Sequence, residues 1–216
     1  MVTDSEIPID EIIVSLDDLV EQVKKEVDIA VSFLVTSGDY RLFVAERLYL
    51  LGTVVIEPLH ELYQSSDDKD LQFTIALLLV RLNDLTYVDV VIEALNTSHQ
   101  NDICLIANFL AKANVRQAST SLINKLHFTE SLDHIYCLIL AIKSLDGEIP
   151  QDAKSEVFTR VKNVISHSTV DDFDMISKSL QIVDSLGYTL DESITAKLLT
   201  TESYRDMLRT FGYDIE

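Results

Sequence analysis

His60-Glu61 is the one place in the chain where an imidazole and a carboxylate follow each other in His-Glu order. Such pairs serve metal centres and general acid–base chemistry when several converge. A single pair on a helical surface makes neither. His99, His127, His134 and His167 fall mostly at helix ends or junctions, where capping or solvent contact is the expected role. Cys104 and Cys137 each sit inside an apolar run, Asp-Ile-Cys-Leu-Ile and Ile-Tyr-Cys-Leu-Ile. The expectation is two separate buried thiols acting as small hydrophobes. The chain has no CxxC, HExxH, P-loop or GxGxxG motif, and five glycines leave little room for a phosphate cradle. Nothing marks a nucleophile elbow. The sequence therefore predicts no catalytic residue, no metal, no cofactor and no enzymatic activity.

What remains is charge. Asp and Glu number 36 against 17 Lys and Arg in 216 residues, a formal charge of −19, with 47% hydrophobic residues. That apolar content excludes an acidic disordered chain. A deficit of Lys and Arg argues against nucleic-acid and anionic-lipid partners. A field of this sign steers basic proteins. The acidity is uneven: residues 1–70 hold 16 acids and 5 bases, residues 71–170 hold 10 and 8, and residues 171–216 hold 10 and 4. Local clusters are Asp17-Asp18, Asp67-Asp68 with Asp70, and Asp171-Asp172 with Asp174. The N-terminal stretch lacks a basic n-region and an apolar h-region, and no uncharged apolar run approaches 18 residues. With so few cysteines, a cytoplasmic chain, monomeric when alone, is the expectation.

The elements that must present this charge are helical. Three prolines and five glycines speak against a turn-rich all-β fold. Ile12, Leu16, Leu19, Val23, Val27, Ala30 and Leu34 step by three or four residues, an amphipathic face on one long helix or two short ones. A longer period follows. Ala45, Ala76 and Ala107 are spaced by 31 residues, as are Leu48, Leu79 and Leu110, and Gly52, Asn83 and Asn114. Ala allows two helices to approach, Leu fills the gap, and Gly or Asn accepts the left-handed conformation that ends a helix. Further copies end at Asp146-Gly147 and at Gly187. After each stop comes a second apolar segment: Ile56/Leu59/Leu62, Val88/Val91/Leu95, Ala118/Leu122/Leu126, Val157/Val161/Ile165 and Leu190/Ile194/Leu198. Two helices of about 12 residues with two tight turns fit this period. The whole chain, 1–216, is expected to be one all-α repeat domain: a helical cap over 1–38, repeats over 39–200, and a capping helix within 201–216 using Leu208 and Phe211.

The stretch Glu46 to Leu62, with Leu51-Gly52 before a short gap and Pro58 ahead of Leu59 and Leu62, resembles the HEAT repeat, in the short bacterial form named after phycobilisome lyases. The resemblance covers about 39–131 closely and 132–199 more loosely. It implies a right-handed α-solenoid of about five helix pairs whose second helices line the concave side. Contact residues would then be Glu57, His60 and Glu61, Asp89 and Glu93, and Ser121 and Asn124, with the acidic junction Asp67, Asp68 and Asp70 beside them. Where the family places Arg in the first helix, this chain has Leu42, Phe73 and Cys104, so packing rather than an Asp–Arg ladder is expected to hold the units together. HEAT-like deoxyhypusine hydroxylases need several His-Glu pairs, and HEAT-like DNA glycosylases need a basic groove with Trp. This chain has one such pair, an acidic surface and no Trp.

The expected function is protein binding. The chain is similar to HEAT-like immunity proteins found beside polymorphic and contact-dependent toxins, which implies a basic toxin domain as partner. The alternative is a scaffold or assembly chaperone of the HEAT type.

Overall fold

Every helix-stop position singled out by the repeat adopts a left-handed backbone. Gly52, Asn83, Asn114 and Gly187 have φ of 71°, 66°, 52° and 73°. At the remaining stop it is Asp146 (φ 54°), not Gly147, that takes this conformation. Gly147 is needed for space instead, since a Cβ there would lie 2.9 Å from both the Cγ2 and the carbonyl oxygen of Ile142. The computed structural model describes residues 9–38, 41–97, 102–169, 172–199 and 202–212. These form α-helices and short 3₁₀ turns, with no strand among the described residues. His99 and Asp171, and the side chains of Ile12, Leu16, Asp17 and Leu19, lie outside what is described. The chain forms two compact units, Met1–Val90 and Val91–Glu216.

In the first unit α1 (Ile9–Thr36) is one continuous helix, followed by α2 (Arg41–Tyr49), α3 (Ile56–Ser65) and α4 (Lys69–Arg81). Pro58 stands in the first turn of α3, where its missing N–H leaves no helical bond unmade. Val27, Val31 and Leu34 of α1 pack with Ala45 and Leu48 of α2, Leu59 of α3, and Leu71, Ile75 and Leu79 of α4. Val23, expected in the buried stripe, is 44% exposed. Ion pairs reinforce this packing. Arg41 of α2 reaches Asp68 at 2.6 Å, and Arg81 of α4 pairs with Glu46 of α2 while lying 3.9 Å from the centre of the Tyr49 ring. Packing is therefore not the sole tie between α2 and α4. The sequence pattern looked for Arg at position 42, one residue after Arg41. The helix α5 (Val88–Thr97) begins at the end of this unit.

The second unit contains most of α5, then α6 (Ile103–Lys112), α7 (Ser119–Phe128), α8 (Leu132–Ser144), α9 (Gln151–His167), α10 (Phe173–Leu186), α11 (Glu192–Leu198) and α12 (Glu202–Thr210). Helix α8 packs on α6, α7 and α10, and α9 packs on α7 and α10. The second apolar segments are buried as expected, including Ala118, Leu122, Leu126, Val157, Val161, Ile165, Ile194 and Leu198. Arg160 of α9 donates to the carbonyls of Leu126 and Thr129, which places a cation at the negative end of α7. In α12, Leu208 is fully buried and Tyr204 and Met207 join the core, while Phe211, just beyond the helix, is half-buried.

The cysteines correct an expectation. Cys104 on α6 and Cys137 on α8 are both half-buried, lie 5.4 Å apart between Cα atoms, and are joined as a disulfide. Residues 33 apart meet because α6 and α8 pack against each other. A bonded pair is what an oxidising compartment favours, so cysteine usage no longer argues for a reducing one.

Two measurements check these features. Asn114→Val should lower the unfolding free energy by about 1–2 kcal/mol, because a β-branched residue resists the left-handed conformation, whereas Asn114→Gly should change it by no more than a few tenths. Urea denaturation separates the two. Non-reduced protein should show no alkylatable thiol and reduced protein two, with reduction lowering stability by about 3–4 kcal/mol for a loop of this length.

Candidate partner-binding surface

The acidic residues of α3 and α5 divide into those the fold uses and those it leaves to solvent. Glu57 and Glu61 stand one turn apart on α3, exposed, on the side facing α1. With Val23, Val27 and Asp28 of α1 and Val54 and Pro58 they line a groove of about 660 Å³. An adjoining cavity of about 420 Å³ continues past Val31, Val35 and Leu62 and shares Asp28, Pro58 and Glu61. The α1 wall was not expected from the sequence. The only available signal was that α1 carries more apolar residues than one stripe can bury.

His60 is directed elsewhere. Its Nε2 lies 2.8 Å from Oδ2 of Asp84, just beyond α4. Its ring is 5.3 Å from that of Tyr87, which stacks on Tyr63 at 3.7 Å. Burial tends to raise the Asp84 carboxyl, but the Thr86 hydroxyl and amide (2.6 and 3.0 Å) and His60 outweigh it, holding the group below its ordinary range. Burial, and secondarily the Tyr87 phenol, pushes the Tyr63 hydroxyl up. His60 thus fastens α3 to the end of α4. Asp84, Tyr63 and Tyr87 had not been singled out as partners of His60. The Asn83-Asp84-Leu85-Thr86 run at a helix stop, an Asx-turn pattern, was the available signal.

Asp68 is also structural. Its Oδ1 accepts from the amides of Asp70 and Leu71 at 3.0 and 3.1 Å, capping α4, while Oδ2 takes Arg41. The Arg41 hydrogen bond, with those amides, holds its carboxyl below the usual range. Asp67 and Asp70 are exposed. On α5, Asp89 and Glu93 are exposed and one turn apart. Asp28, Glu57, Glu61, Asp67, Asp70, Asp89 and Glu93 have no ion-pair partner among the described residues. Ser121 on α7 is half-buried and lies 3.5 Å from the Asn96 amide of α5, whereas Asn124 is exposed. No group of three or more His, Cys, Asp or Glu side chains arranged to hold a metal ion occurs among the described residues. Among the described residues no helix is long and apolar enough to cross a membrane.

No protein-family model matches the chain, nor does any curated protein or solved structure compared with it.

The lowered carboxyls of Asp68 and Asp84 set a pH dependence. Their contribution is complete above the ordinary aspartate value of 3.8 and is lost as pH falls through their lower folded-state values. Asp84→Asn should therefore destabilise the protein by about 1–2 kcal/mol at neutral pH. The difference from the unmodified chain should shrink at acidic pH, as the Asp84 carboxyl protonates on falling through its lowered folded-state value. Urea titrations at the two pH values test the sign.

Proposed function

We propose that this chain is a protein-binding module of the HEAT α-solenoid type, with α2/α3, α4/α5, α6/α7, α8/α9 and α10/α11 as its helix pairs and α1 and α12 as caps. Its role is that of an immunity protein: it binds a basic toxin domain that acts in the cytoplasm and blocks it by covering the cationic surface the toxin uses on its substrate. The contact-dependent toxins are the class this fits. The observation that carries the proposal is the set of exposed carboxylates with no cation partner among the described residues, Glu57 and Glu61 on α3 and Asp89 and Glu93 on α5, in a chain of charge −19. An exposed carboxylate without an internal partner loses nothing inside the fold when an external Lys or Arg approaches. In a protein of this net charge many such groups act together on the encounter rate. The recurrent left-handed stops at 52, 83, 114, 146 and 187 support the repeat assignment.

The product of the neighbouring open reading frame should arrest growth when expressed alone and be neutralised by co-expression of this chain, with the two recovered as a complex. A non-toxic or non-binding neighbour would overturn the immunity role. In the complex, Asp89→Lys with Glu93→Lys should weaken binding at least tenfold at low ionic strength, with a smaller loss at high salt because screening removes the long-range part. Unchanged affinity would place the contact away from α5.

A further inference from the structure

We propose that the groove between α1 and α3 is the docking site for a basic amphipathic helix of the partner protein; this rests on the protein-binding proposal above and specifies what occupies the surface. The floor is apolar: Val23 and Val54, 44% and 53% exposed, open it to solvent, half-buried Pro58 lies beside them, and buried Val27 lines its base. Its continuation past Val31 and Val35 makes one trough, because the two cavities share Asp28, Pro58 and Glu61. From Val23 to Val35 the α1 wall runs about 18 Å at 1.5 Å per residue, the length of roughly three helical turns.

The walls decide the conformation of the occupant. Both are α-helices whose backbone N–H and C=O groups are largely bonded internally, so an extended segment would find few main-chain partners there. A helix satisfies its own backbone and presents apolar residues at i, i+4 and i+7 to the floor. The rims decide its charge. Glu57 and Glu61 line one side and Asp28 the other, none ion-paired among the described residues. The one cation at the groove, Lys24, is held by Glu21 at 3.1 Å. Lys or Arg flanking the apolar stripe would meet carboxylates on both sides. A second copy of this chain brings −19 of like charge, and residues 1–8 bring Asp4 and Glu6 with no Lys or Arg, so both are disfavoured as occupants.

The test uses the full chain and two fluorescein-labelled synthetic 14-residue peptides of identical Leu/Lys composition. One has Leu at i, i+4, i+7 and i+11, and the other is scrambled so that no stripe forms. By fluorescence anisotropy the striped peptide should bind at least tenfold more tightly than the scrambled one. Val23→Asn with Val54→Asn, both at exposed positions, should reduce that advantage at least fivefold while circular dichroism shows unchanged helix content. Glu57→Gln with Glu61→Gln should weaken the striped peptide and flatten its salt dependence. Asp89→Lys with Glu93→Lys, at exposed positions outside the groove lining, should lower the affinity of both peptides alike at low salt and leave the striped peptide's advantage intact.

Equal binding of the two peptides, or insensitivity to the Val23 and Val54 changes, overturns the groove. If that binding still responds to Asp89 and Glu93, the basic-partner proposal survives without the groove. Absence of binding by either peptide overturns it also. Concentration-dependent dimerisation in sedimentation, abolished by the Val23 and Val54 changes, would replace the proposed occupant with a second copy. Striped-peptide binding alongside a neighbouring gene product that neither poisons cells nor binds would keep the groove and remove the immunity role.

Discussion

The turn that closes α4, α6, α8 and α10 is the constraint from which much of the remaining architecture follows. At Asn83, Asn114, Asp146 and Gly187 the chain enters the left-handed region, and the next amide reaches back five residues to a carbonyl in the last turn of the helix: Asp84 to Leu79, Val115 to Leu110, Gly147 to Ile142 and Tyr188 to Val183. The residue accepting that bond is in each case a buried aliphatic, Leu79, Leu110, Ile142 or Val183. One backbone device therefore ends the helix, satisfies carbonyls that would otherwise lack donors, and directs the chain toward the next helix at a place already anchored in the core. The helices are mostly too short to be stable in isolation. Their stability comes from burying one face, and the turn determines which face meets its neighbour.

Electrostatics sort the acidic residues by whether the fold has a use for them. Asp68 is capped into α4 and paired with Arg41, and Asp84 is surrounded by Thr86 and His60. Glu156 meets His127 at 2.6 Å, and Asp133 meets Lys178 at 3.2 Å. These groups are parts of the scaffold. Glu57, Glu61, Asp89 and Glu93 have no such partners among the described residues. With roughly two acids per base across the chain, some carboxylates must go without a cation. Their location decides where the surface carries negative charge that no ion pair compensates among the described residues.

Helical periodicity and the 31-residue spacing were legible because both depend on local chemistry. Ala45, Ala76 and Ala107, with Leu48, Leu79 and Leu110, are all buried. The left-handed stops are likewise a property of a few consecutive residues. The assignment of His60 to the exposed face beside Glu57 and Glu61 was less successful, because a three-residue step on a helix changes the face by about 60°. That step turns the ring toward Asp84, 24 residues away. The cysteines were read as independent thiols for a similar reason: each local run looks like ordinary core, and only the adjacency of α6 and α8 brings them together.

The sequence by itself determined the helical class, the positions where helices stop, the buried set of the second helices and the overall sign of the surface, since each depends on residue type and short-range spacing. Only the tertiary structure decided which carboxylates are consumed by caps and ion pairs, that Val23 and Val54 border an open groove rather than a filled core, and that Cys104 meets Cys137. Those outcomes depend on the distance of approach between helices remote in sequence. That distance is set by how all the side chains between them pack, which no local pattern encodes.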